Sequence, residues 1–221
     1  RYCGPECQKQ HWEQGGHDKL CKKIKKAGGA EQYNANTKYA EAVAVAVEKC
    51  ADDTKGQTCY ICTQALHWKT KEGLVRGCSC RGTSGFAHVS CLVEQAKILR
   101  EEAEYNNLGV QALNERWGRW HTCSLCEQEY HGVVRCALGW ACWKTYVGRP
   151  EGDHLRNIAL QILADSIHDD PGGRLAILEV ILARLRTETD DPTRLLYVRA
   201  QIAKCLAGLE RNDECLALRR E

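Results

Sequence analysis

Four short Cys/His pairs stand close together along the chain: Cys59-Tyr-Ile-Cys62, Cys78-Ser-Cys80, His88-Val-Ser-Cys91 and Cys123-Ser-Leu-Cys126. Thiolates and imidazoles are zinc ligands. One zinc ion takes four of them in a tetrahedron with Zn–S near ~2.3 Å, which sets two sulfurs on the same ion roughly 4 Å apart. A tight turn between two cysteines separated by two residues holds that distance. Cys59, Cys62, Cys78, Cys80, His88, Cys91, Cys123 and Cys126 therefore provide for two zinc ions between residues 59 and 126. Spacing alone leaves open which pairs share an ion. Each ion would be surrounded by four protein ligands with no position for water, so the chemistry expected is structural, not hydrolytic, and no catalytic residue is singled out.

A second constellation opens the chain, with Cys3 and Cys7 spaced C-x3-C, His11-Trp12, and His17 and Cys21 spaced H-x3-C. Fifteen cysteines in 221 residues could instead signal disulfides, but histidines at ligand spacing have no place in a disulfide framework. Metal-bound, reduced thiols place the chain in the cytoplasm or nucleus. Cys50 is unpaired by spacing and reads as a buried small apolar group. His131, Cys136 and Cys142 could be imagined as a third metal site, but their spacing matches no knuckle and core packing is favoured.

The net charge of +2 gives no global field that would argue for nucleic acid or an anionic membrane. Lys22, Lys23, Lys25 and Lys26 read as a solvated helix face rather than a nucleic-acid patch. The longest apolar run, Leu175 to Leu185, is interrupted by Glu179 and Arg184, so no membrane-spanning segment is expected. The chain opens at Arg1, already inside a motif, and is read as a fragment.

The elements that must position these ligands are mainly helical. Asn36 or Thr37 is expected to cap a helix running to about Cys50. The strand-like alternation of Ala42 to Val47 yields to its alanine content and charged flanks. Leu92, Ala96, Leu99 and Ala103 predict one helix after Cys91, and Leu108, Ala112 and Leu113 predict another after a turn at Asn106-Asn107; both lie between the third and fourth ligand pairs. Residues 153–221 carry a repeat at a 39-residue offset, which sets Leu163 on Ile202, Ala164 on Ala203, Ile167 on Leu206, Arg174 on Asp213 and Ala176 on Cys215. Helix–turn–helix units with small residues at the crossing suggest stacked hairpins.

Three resemblances follow. Tyr2-Cys3, Cys7-Gln8, His11-Trp12, His17 and Cys21 resemble the second half of a MYND zinc finger, whose first four cysteines are missing here. That resemblance implies that Cys3 and Cys7 serve one ion and His17 and Cys21 another, each site being complete only with the missing half. The stretch Ala203 to Leu218 resembles a tetratricopeptide repeat of longer period. Cys78-x-Cys80-x-Gly82-Thr83-x-x-Phe86-x-His88-x-x-Cys91-Leu92, with the flanking C-x2-C pairs, is similar to the RING-CH (RING-variant) family.

That last resemblance implies interleaved ligation, with Cys59, Cys62, His88 and Cys91 on one ion and Cys78, Cys80, Cys123 and Cys126 on the other. It also implies a ubiquitin ligase that binds a ubiquitin-conjugating enzyme and orients its thioester-linked ubiquitin, with Ile61 as the hydrophobic contact and the flanking modules recruiting protein substrates or peptides. Two positions depart from the family. Glu127 follows the last ligand where active members often carry a basic residue. The tryptophan usual a few positions after the sixth ligand is absent from Val93 to Ala96, and Trp117 or Trp120 is the candidate replacement. The alternative reading is a non-catalytic scaffold whose modules only bind proteins. The expected architecture is mainly α with small zinc-stabilised modules: residues 1–26 a half finger, 27–58 a helical linker, 59–130 a cross-braced RING-variant domain and 131–221 helical repeat hairpins.

Overall fold

The computed structural model describes residue 9, residues 17–188 and residues 192–220. Helix α1 (His17–Ala27) and helix α2 (Ala30–Thr54) meet at Gly28 and Gly29. A unit with little regular structure follows. It contains helix α3 (Val89–Tyr105), helix α4 (Val110–Trp117) and a single 3-10 turn over Gly118–Trp120, with isolated β-bridges joining Val75 to Ala87 and Thr122 to Glu129. Helices α5 (Gly132–Tyr146), α6 (His154–Ser166), α7 (Pro171–Glu188), α8 (Pro192–Gly208) and α9 (Asn212–Arg220) complete the molecule. The architecture is mainly α, and among the described residues no helix is long and apolar enough to cross a membrane.

Helix α2 begins at Ala30, several residues before the expected cap. Thr37 does not cap; its hydroxyl donates to the Tyr33 carbonyl at 3.0 Å, one turn back inside the helix. The added turns are held by distant partners. Gln32 Nε2 donates to the Lys144 carbonyl at 3.0 Å, and the Glu31 carboxylate accepts from Arg156 at 2.9 Å. Such tertiary contacts override a local capping preference. Across the alternating stretch, Val43, Ala46 and Cys50 are the buried positions, which is helical spacing. Cys50 lies in the core, with its thiol 3.7 Å from the Arg76 carbonyl.

The unit between α2 and α5 is an insertion, because α2 packs directly on α5 and α5 in turn on α6. Helix α5 is apolar nearly all round, with Val134, Ala137, Leu138, Ala141, Cys142, Trp143 and Tyr146 all buried, as a central helix must be. Where α5 crosses α6, a Cβ on Gly139 would stand 1.8 Å from Ser166 Oγ, so this close approach admits only glycine. Two hydrophobic clusters share α5. One lies under the Cys/His-rich unit and includes Val43, Phe86, Leu92, Val134 and Leu138. The other, with Trp117, Trp120, Cys142, Leu163, Leu178 and Ile202, binds the helices together. Trp117 and Trp120 are thus buried against Tyr146 and take no part in the surface.

The repeat matches in its first helices, where Leu163, Ala164 and Ile167 are buried like Ile202, Ala203 and Leu206. In the second helices the register slips. Leu175 and Cys215 are the buried pair, at 3% and 7% exposure, while Ala176 faces solvent. Helix α8 continues to Gly208, past the position where the aligned α6 has ended, and the buried position on α9 then falls one residue later than on α7. The pairings of Ala176 with Cys215 and Arg174 with Asp213 are therefore corrected.

Candidate metal centres

The first and last C-x2-C pairs lie in the same backbone turn. Cys59 N–H donates to the Gln64 carbonyl at 3.0 Å and Thr63 N–H to the Cys59 carbonyl at 2.8 Å. Cys123 N–H donates to Gln128 at 2.9 Å and Glu127 N–H to Cys123 at 3.0 Å. The residue after each second cysteine, Thr63 with φ 61° or Glu127 with φ 56°, is in the left-handed region. In each turn a backbone N–H, that of Ile61 or Leu125, points at the first sulfur at 3.4 Å, and such donors stabilise the thiolate form. The Tyr60 and Ser124 hydroxyls join the two turns at 3.1 Å.

The remaining ligands come from the stretch between them. Val75 and Ala87 exchange both backbone hydrogen bonds, which sets His88 at the start of α3 with Cys91 in its first turn. Gly85, at φ +85°, passes so close to the second site that a Cβ there would lie 2.6 Å from Cys80 Cβ and 3.2 Å from Cys78 Sγ. Only glycine fits the close pass between the two ligand pairs.

The folded chain gathers these side chains into two groups. Cys59, Cys62, His88 and Cys91 form one and Cys78, Cys80, Cys123 and Cys126 the other, with all ligand atoms in each group within 4.8 Å of one another. The first pair meets the third and the second meets the fourth. His88 turns Nδ1 toward the sulfurs, 3.3 Å from Cys62 and 3.6 Å from Cys91, while Nε2 faces the Ala65 carbonyl at 3.4 Å. A carbonyl on the far ring nitrogen is the usual partner that fixes a metal-ligating imidazole. Burial lowers the pKa of His88, keeping the ring in the neutral form a metal needs.

The thiols show why a dication suits these groups. Burial, followed by the neighbouring sulfurs, raises Cys91 and Cys80. Burial also raises Cys78, to about 11. Cys126 is lowered to about 7, chiefly by the backbone N–H of Gln128. Burial pushes Cys59 upward too, but backbone donors at Cys62, His88 and Ile61 outweigh it and the net shift is downward. One thiolate in each group is favoured and its neighbours then resist ionising, a conflict that a bound Zn²⁺ removes. The two groups fit two zinc ions.

Residues 59–106 match the RING-variant domain. The match covers less than half of the chain and stops before Cys123 and Cys126, which the fold nevertheless brings to Cys78 and Cys80. No curated protein and no solved structure matches.

Of the other expected ligands, Cys3, Cys7 and the side chain of His17 lie outside the described residues, and Cys21 is half-buried on α1. His131, Cys136 and Cys142 are not brought within ligand reach of one another: His131 is exposed, and Cys142 is fully buried in the helical core. Ile61 is 37% exposed at the tip of the first turn. It lines an apolar groove of about 340 Å³ with Trp68, Cys91, Gln95, Ile98 and Leu99. The sequence reading passed over Trp68 and Ile98. Their one sequence signal was an aromatic and an aliphatic residue set among charged neighbours, as in Trp68-Lys-Thr-Lys.

Proposed function

We propose that the protein is a zinc-dependent RING-type ubiquitin ligase, in which the domain around Cys59–Cys126 binds a ubiquitin-conjugating enzyme and holds its thioester-linked ubiquitin for attack by a lysine. The observation that carries this reading is the RING-variant match combined with an exposed apolar residue, Ile61, on the rim of a groove beside the first metal centre. Catalysis in such a ligase is orientation: restricting the thioester to a reactive geometry lowers the barrier with no covalent protein nucleophile. Zinc would be held by the two Cys/His groups and would supply the rigidity of the docking surface. The helical hairpins α6–α9, whose first helices repeat at a 39-residue offset like tetratricopeptide units, are proposed to recruit substrate proteins. The first finger, with Cys3, Cys7, His17 and Cys21, is proposed to be a further zinc-binding interaction module. Reduced thiols at the metal centres suit the cytoplasm or nucleus.

Glu127 favours a second reading. It is exposed just after the last ligand, where a basic side chain would contact ubiquitin, and a scaffold that has lost transfer activity would tolerate the acid. Autoubiquitination with a panel of conjugating enzymes separates the two. The ligase forms chains that Ile61→Ala and His88→Ala abolish. Absence of chains with every partner would refute the ligase reading.

A further inference from the structure

The loop carrying Trp68 is a zinc-knuckle turn built without a metal. His67 N–H donates to the Glu72 carbonyl at 3.0 Å, and Lys71 N–H donates to the His67 carbonyl at 2.9 Å. Lys71 has φ 60°. These bonds repeat the pattern of the Cys59 and Cys123 turns position for position, with Lys71 in the place of Thr63 and Glu127. In this third turn His67 stands where the first cysteine would be and Thr70 where the second would be. Zinc is replaced by hydrogen bonds, since His67 Nδ1 accepts from the Thr70 N–H at 3.2 Å and lies 2.8 Å from the Thr70 hydroxyl.

The turn is anchored at both sides. His67 is buried, with its ring edge-on to His88 at 5.3 Å. The Glu72 carboxylate accepts from Ser90 N–H at 2.7 Å and Ser90 Oγ at 2.9 Å in the first turn of α3, where a negative charge is favoured. Of the exposed side chains on this turn, Trp68 is the aromatic one. Trp68 is 69% exposed and lines the groove together with Ile61 and Ile98. An exposed tryptophan held on a rigid turn loses little entropy on binding and buries a large apolar area.

We infer that Trp68 is the principal anchor of the docking groove, that the pseudo-knuckle His67–Glu72 exists to position it, and that its occupant is the conjugating enzyme of the ligase reading. The inference rests on that reading. The groove lies wholly within the segment that matches the RING-variant domain. Glu94, the acid lining it, is already paired with Lys97 at 3.2 Å, and the exposed Lys69 and Lys71 flank Trp68, so what the groove offers a partner is apolar area rather than charge. Thr70 acts through Trp68 and is a positioning residue.

The test is calorimetric titration of the full chain with conjugating enzymes, after each variant is shown to hold as much zinc and helix as wild type. Trp68→Ala should weaken binding by about 30-fold or more, as a central aromatic anchor does, and Trp68→Phe should keep most of the affinity. Thr70→Val should weaken binding several-fold with Trp68 present and not at all in the Trp68→Ala background. If Trp68→Ala binds within two-fold of wild type while Ile61→Ala loses binding, the anchor is wrong and the ligase reading stands. If wild type binds no conjugating enzyme, the ligase reading fails and this occupant with it. Equal losses from Thr70→Val in both backgrounds would show that the turn serves stability and does not position Trp68.

Discussion

Replacing Cys123 and Cys126 together by serine tests the interleaved ligand sets. Among its described residues the unmodified protein has one Cys₃His group and one Cys₄ group. Had the pairs combined in sequence order, Cys59, Cys62, Cys78 and Cys80 would give a Cys₄ group and His88, Cys91, Cys123 and Cys126 a Cys₃His group, so metal analysis of wild type cannot tell the arrangements apart. The double variant can. With interleaving, Cys78 and Cys80 lose their partners and the surviving site is Cys59, Cys62, His88 and Cys91. With sequential pairing, the survivor would be Cys₄.

The cost can be worked from the ring each metal closes. The two sites bridge sequence separations of 26 residues, Cys62 to His88, and 43 residues, Cys80 to Cys123. Treating each bridge as a cross-link on the unfolded chain gives about 3.5 and about 4 kcal/mol. Losing the second bridge should then lower the melting temperature by roughly 8–16 °C for a chain of this size. Native mass spectrometry should count one zinc fewer in residues 59–126. Cobalt substitution should give the charge-transfer spectrum of three thiolates and one imidazole. A four-thiolate spectrum from the double variant would refute the interleaved arrangement.

Other outcomes follow from single contacts. Phe86, the one phenylalanine in the chain, is buried under the Arg76 guanidinium at 4.3 Å, so Phe86→Ala should cost about 3–5 kcal/mol in chemical denaturation. Gly139→Ala sets a methyl against Ser166 Oγ and should destabilise by about 1–3 kcal/mol, with Ser166→Gly in the same chain restoring part of the loss. Zinc release should follow acidification. Cys78 is raised to about 11, and Cys80 and Cys91 are raised as well, so the metal-free groups hold protons that zinc must displace. Falling pH therefore favours the protonated, metal-free form. A chromogenic chelator should report rising free zinc as pH falls, and zinc uptake by metal-free protein at neutral pH should release protons.

The ligand residues were legible because a C-x2-C turn is local: its spacing encodes the sulfur separation without reference to the rest of the fold. Helix α3 was legible for the same reason, through the period of Leu92, Ala96 and Ala103, and α4 through Ala112 and Leu113 after the turn at Asn106-Asn107. The pairing of sites is tertiary information that spacing does not carry, and the family resemblance supplied it. The start of α2 was missed because Gln32 and Glu31 are held by Lys144 and Arg156, more than a hundred residues away in sequence. The slip of one residue between α7 and α9 was missed because helix length, not side-chain pattern, sets it. Trp117 and Trp120, named as candidate replacements for the family tryptophan, are packed on Tyr146 in the core, and nothing local in the sequence distinguishes such a tryptophan from an exposed one. Trp68 lay hidden because the turn that displays it is held by backbone hydrogen bonds and by the His67–Thr70 contact, and neither follows a recognised ligand spacing.

The position of the zinc unit bears on how the molecule would work. It is an insertion between two helices that pack on each other, so it is attached to the helical array at both ends. Helix α5 makes the connection rigid. Its Val134, Ala137 and Leu138 complete the core under the metal centres, while Ala141, Cys142 and Trp143, one turn on, belong to the core that holds α6 to α9. The His131 N–H also donates to the Gly77 carbonyl at 2.8 Å, tying the start of α5 to the residue before the first ligand of the second site. A hinge between the two parts would have to break these shared contacts, and close-packed interiors resist such deformation. The groove at Ile61 and Trp68 is therefore held at a fixed distance and angle from the helical hairpins. If the protein is the ligase proposed above and α6–α9 recruit its substrate, this geometry would set which substrate lysines can reach the thioester.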